Sequence, residues 1–80
     1  MNDWFNVRRN SDMKSMIDIY QLLKQYGMYV YTGDRFGDLE LILDEIKELY
    51  KSKMIEPDVY QTAVLIIRQE ERRLKAEKKQ

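Results

Sequence analysis

The sequence contains no cysteine and no histidine. Without cysteine there can be no disulfide, no thiolate zinc site and no thiol nucleophile. Without histidine the chain lacks the usual general base and the commonest metal ligand. Proline occurs once and glycine three times, so the breaks between elements are few and easily placed. Long apolar runs are missing as well. The longest, Ala63-Val64-Leu65-Ile66-Ile67, falls far short of the roughly 20 residues a membrane-spanning helix needs. The first residues, Met1-Asn2-Asp3-Trp4-Phe5, do not place a basic stretch before an apolar one, so no signal peptide is expected and the expected location is the cytoplasm. These absences turn the functional expectation towards binding and away from catalysis.

What remains is one small domain of 80 residues. Its hydrophobic fraction of 44% is enough for a core and too much for a disordered tail. The core is modest, because a chain of this length buries only about 60–65% of its unfolded surface. The 14 basic and 14 acidic side chains cancel.

Three helix-period segments are legible. The first is predicted over Met13–Tyr26, with Ser11 or Asp12 as its N-cap and Gly27 as the residue that ends it. Its apolar residues, Met13, Met16, Ile17, Ile19, Tyr20, Leu22, Leu23 and Tyr26, cover more than half of the circumference, which leaves apolar surface for a second contact. Residues 28–33 are β-branched and aromatic and read as a short extended link packed on the bundle. Asp34 is the expected N-cap of a second helix running to about Lys53, with Gly33 permitting the turn. Phe36, Leu39, Ile42, Leu43, Ile46, Leu49 and Tyr50 form its stripe. Pro57 fits the first position of a third helix, whose inner face carries Val59, Tyr60, Ala63, Val64, Ile67 and Leu74. Residues 1–10 have no period and read as a flexible arm. Residues 11–80 read as the domain, with a charged end fraying from about residue 70. The expected architecture is all-α, a compact three-helix bundle with a short extended link between helices 1 and 2.

Residues 17–70 resemble the YqgQ-like family of small uncharacterised proteins from Gram-positive bacteria. The resemblance rests on Leu22-Leu23-Lys24-Gln25-Tyr26-Gly27, Tyr31-Thr32-Gly33-Asp34-Arg35, Asp44-Glu45, Glu48-Leu49-Tyr50 and Leu65-Ile66-Ile67-Arg68-Gln69-Glu70. The Tyr31–Arg35 block is the most specific part. The resemblance implies a three-helix bundle and no established activity. Single-stranded nucleic-acid binding is a suggestion attached to such proteins.

Four groups of residues carry the functional expectations. The first is the Tyr31–Arg35 block. Thr32 offers a hydroxyl and Arg35 a planar guanidinium suited to phosphate at a helix N-terminus, unless Asp34 simply caps that terminus. The second is aromatic. Tyr26, Tyr29 and Tyr31 are candidate stacking residues with Lys24 and Arg35 at their rim, whereas Tyr20, Tyr50 and Tyr60 fall on inner stripes and are assigned to the core. The third is a line of cations on the third helix, Arg68, Arg72, Lys75 and Lys79, within a segment that is basic on balance. The fourth is an acidic ridge on the second helix, Glu40, Asp44 and Glu48, read as a solvated face and not as a metal site. The leading expectation is a non-enzymatic binding module for single-stranded DNA or RNA. Its site residues would be Lys24, Tyr26, Tyr29, Tyr31, Thr32, Arg35, Arg68 and Arg72, with no cofactor, no metal and no membrane. The alternative is a protein–protein adaptor or self-associating subunit that uses the excess apolar surface of helix 1, Leu41 and the Trp4-Phe5 pair.

Overall fold

The computed structural model describes residues 13–78, which form three α-helices and no strand. They are α1 (Met16–Gln25), α2 (Arg35–Lys51) and α3 (Pro57–Lys78). The expected arm, with Trp4 and Phe5, and the cation Lys79 lie outside the described residues.

The start of α1 corrects the sequence expectation. The helix begins at Met16, and its N-cap is Ser15, not Ser11 or Asp12. Of the candidate caps, only Ser15 has an acid three residues on. Asp18 completes a capping box, accepting hydrogen bonds from the backbone N–H of Ser15 (3.3 Å) and of Lys14 (2.8 Å). The other end is as expected. Gly27 sits in the left-handed region at φ +76°. Its N–H donates to the Lys24 carbonyl, and that of Met28 donates to Leu23, which closes the helix with a reciprocal pair of C-terminal bonds.

The end of α2 repeats this arrangement without a glycine. The N–H groups of Lys53 and Met54 donate to the carbonyls of Tyr50 and Leu49, and Lys53 holds φ at 62°. A side chain in that region strains against the following carbonyl. Lys53→Gly should therefore stabilise the fold by about 1 kcal/mol, partly offset by glycine's freer unfolded chain. Thermal melting followed by circular dichroism should show a rise of several degrees.

α3 is the spine, packing against both α2 and α1. Pro57 opens it, where a missing N–H costs nothing. The core forms where the stripes converge: Ile19, Leu22 and Leu23 of α1, Ile42 and Ile46 of α2, and Ala63 and Ile67 of α3 are sealed from solvent or nearly so. Ile66, beside the predicted inner face of α3, is buried as well. The link obeys a period of two. Met28 and Val30 pack on the core while Tyr29 and Tyr31 face outward.

The tyrosine assignments need correction. Tyr20 and Tyr50 are substantially exposed, whereas Tyr60 is half-buried and packs against the core as expected. Tyr50 and Tyr60 lie on different helices and stack on each other, with ring centroids 4.3 Å apart and planes within 5° of parallel. Their rings make an offset seam at the rim of the core instead of filling it.

Candidate functional site

The Tyr31–Arg35 block folds back on the helices that flank it. Asp38, one turn into α2, is 2% exposed, the buried charged residue of the described core. Its Oδ1 accepts the Thr32 N–H at 2.7 Å and the Thr32 hydroxyl at 2.6 Å. The same hydroxyl oxygen accepts the Asp34 N–H at 3.2 Å. A buried carboxylate is tolerable only when so satisfied. Asp34 occupies the N-cap position, but its side chain makes no capping bond. That corrects the expected role: Asp38, acting through Thr32, closes the turn.

Arg35 reaches across to α3 and pairs with Glu70 at 2.8 Å. Glu70 also takes a two-pronged grip from Arg73, whose Nη2 and Nε lie 2.5 and 3.1 Å from its two oxygens. Arg73 in turn pairs with Glu77. The result is an alternating chain, Arg35–Glu70–Arg73–Glu77. The hydrogen bonds from Arg73 hold the Glu70 carboxyl below the usual carboxylate range. Partial burial opposes them, while the charges of Arg73 and Arg35 add to them. A depressed value in the folded state means that this stabilisation is present above the ordinary value of 4.5 and is lost as pH falls through the folded value. Glu70→Gln should accordingly flatten the loss of stability as pH falls below the ordinary value of 4.5, measured by urea unfolding at each pH.

Tyr20, on α1, closes the group. Burial, then the negative charges of Asp38 and Glu70, push its hydroxyl above its ordinary value, with Arg35 pulling the other way. One turn earlier Ile17 stands 67% exposed. It borders an open groove in which Met16 and Ile17 face Ile66, Gln69, Glu70 and Arg73 of α3.

The sequence-derived site residues do not converge. Thr32 is committed to Asp38 and Arg35 to Glu70. Tyr26 is half-buried, and its hydroxyl donates to the Met54 carbonyl at 3.1 Å, tying the end of α1 to the link between α2 and α3. Arg68 pairs with Glu71 at 3.2 Å. Arg68 and Arg72 lie two residues either side of Glu70, about 160° around α3 from the Arg35 contact. Arg72 and Lys24 are exposed. Tyr29 and Tyr31 stand clear at 75% and 86% exposure. The residues that sequence reasoning missed are Asp38, Glu70, Arg73 and Tyr20. Asp38 carried a readable signal, since it sits one turn before Ile42 at the edge of the apolar stripe.

The described residues thus define a three-helix, all-α protein whose most specific loop is clasped by a buried aspartate and an ion-pair chain. A family model described as YqgQ-like matches residues 13–73, so the chain belongs to the YqgQ-like family. The curated relative "Uncharacterized protein YqgQ" of Bacillus subtilis (strain 168) is 45% identical over 58 residues, covering 72% of this chain and 82% of that one. No solved structure matches. Among the described residues, no helix is long and apolar enough to cross a membrane.

Proposed function

We propose that this protein is a non-catalytic interaction module that recognises another protein through the face where α1 meets α3. The observation that carries this reading is the exposure of Ile17 and Tyr20 beside the Arg35–Glu70–Arg73 chain. An apolar centre rimmed by tyrosine and arginine has the make-up of a protein interface. The ion pairs hold that rim in place before any partner arrives, which lowers the ordering cost of association. They also neutralise the cations a polyanion would need. The missing histidine and cysteine support a role without chemistry. The test is affinity capture from native cytoplasm after nuclease treatment, comparing the wild-type chain with Ile17→Glu. A protein retained by the first and lost by the second is expected. Identical captures by a folded Ile17→Glu would overturn the assignment.

Single-stranded nucleic acid is the second reading, favoured by Tyr29 and Tyr31. Two residues apart on one side of an extended link, they are spaced about 7 Å, and exposed rings accept any base by stacking. Titration with labelled oligonucleotides should give binding that weakens with salt and falls at least about tenfold in Tyr29→Ala/Tyr31→Ala. Affinity indifferent to that double replacement would remove the site.

A further inference from the structure

We propose that the groove between α1 and α3, when no partner is bound, is occupied by the chain's own N-terminal segment, residues 1–12, held there by Trp4 and Phe5. The proposal rests on the reading of that face as a docking surface, and it makes the segment the contact that a partner must displace.

The chemistry of the groove selects an apolar, aromatic occupant. Met16, Ile17 and Ile66 line it together with Lys14, Glu70 and Arg73. The Glu70 carboxylate is already satisfied by Arg35 and Arg73, so a charged ligand has little to gain there. An aromatic ring asks for less. A guanidinium makes its ion pairs in its own plane, and the two faces of that plane stay open to stacking. Arg73 can therefore keep Glu70 and Glu77 and still cover an indole.

The path of the chain selects which aromatic residues these are. Trp4 is the only tryptophan and Phe5 one of two phenylalanines, and the described core closes without either. Met13 is buried in that core, so the segment leaves the fold beside Lys14 and Met16, which form one wall of the groove. Trp4 lies nine positions before Met13, a reach of up to about 30 Å. From Ile66 to Arg73 the groove follows α3 for only about 10 Å. Such a tether holds the pair at an effective concentration on the order of millimolar, so a contact too weak to form between separate chains forms within one. The surface it covers is Ile17, 67% exposed on the described fold.

The single tryptophan supplies the test, on the full chain, with fold checked by circular dichroism. Excited beyond tyrosine absorption, the wild-type emission should be blue-shifted from that of the urea-unfolded chain and less open to acrylamide quenching. Ile17→Glu should return both readings towards the unfolded values. Leu65→Glu, at an exposed position outside the groove, should leave both unchanged, and neither reading should change on dilution. A folded wild-type chain that emits like the unfolded one would overturn the proposal. So would a blue shift indifferent to Ile17→Glu, which puts the tryptophan elsewhere, and one that disappears on dilution, which gives the groove to a second copy's segment. Capture from nuclease-treated cytoplasm separates this proposal from the interface reading. Trp4→Ala/Phe5→Ala should retain more of any protein that Ile17→Glu loses, and an unchanged yield would refute the displacement. If the blue shift is absent and Ile17-dependent capture persists, only the internal occupant is refuted. If the tryptophan is docked at Ile17 and neither chain captures a protein through that residue, the segment stands as the occupant and the interface reading falls.

Discussion

Ile67→Ala should cost about 3–4 kcal/mol, among the largest losses expected from a single truncation in this fold. Ile67 has 0% of its surface exposed and sits on α3, the helix against which both other helices pack. Removing three carbons there forfeits their transfer energy and leaves a cavity that α1 and α2 cannot both close upon. A domain of this length has a total stability of only about 4–12 kcal/mol. The melting midpoint should therefore fall by roughly 15–25 °C. The internal control is Leu65→Ala. Leu65 is two residues away but 66% exposed, and its truncation should stay within about 0.5 kcal/mol. Equal effects at the two positions would refute the orientation of α3.

Asp38→Ala should cost about 2–3 kcal/mol, although the change is from a charged to an apolar side chain in a buried setting. Two donors on Thr32, its N–H and its hydroxyl, share one Asp38 oxygen, and alanine strands both. Asp38→Asn should cost roughly half as much, because an amide oxygen can still accept from both donors but without the charge. Urea unfolding of the two variants reads the difference. The loss should also reach the surface. With Thr32 released, the 28–33 link loses its anchor to α2, and proteolysis near Tyr31 should quicken in Asp38→Ala and much less in Asp38→Asn. A neutral Asp38→Ala would mean that the clasp does not hold the loop.

The helices were legible because their punctuation is unambiguous. Gly27 and Pro57 mark their positions by backbone chemistry alone, and the stripe from Leu39 to Leu49 is a regular 3.6-residue repeat. The N-terminus of α1 was harder, since Ser11, Asp12 and Ser15 are equivalent as cap residues. The acid at Asp18 distinguishes them, and the capping box is the local rule that selects Ser15. The tyrosines failed for a different reason. A helical wheel assigns Tyr50 inward, but whether a large ring enters the core or slides out to meet another depends on which residue of a neighbouring helix stands beside it. Tyr60 was not visible from α2 alone. The surroundings of the site residues were the least legible part. Thr32 and Arg35 have the right chemistry for phosphate, and both are engaged by carboxylates that reach them only through the fold: Asp38 by chain reversal and Glu70 from 35 residues away. Residue type announces what a group can bind, whereas tertiary structure decides what has already bound it.

The central position of α3 has a consequence for synthesis. Chains are made from the N-terminus at roughly 5–20 residues per second, so the 22 residues of α3 emerge over about 1–4 s after α2 is complete. During that interval the stripes of α1 and α2 have lost no surface to the helix that will cover them both. Glu40, Asp44 and Glu48 make the other side of α2 acidic and solvated. Until the last helix arrives, the apolar stripes of the first two have only each other and the solvated acidic ridge beside them.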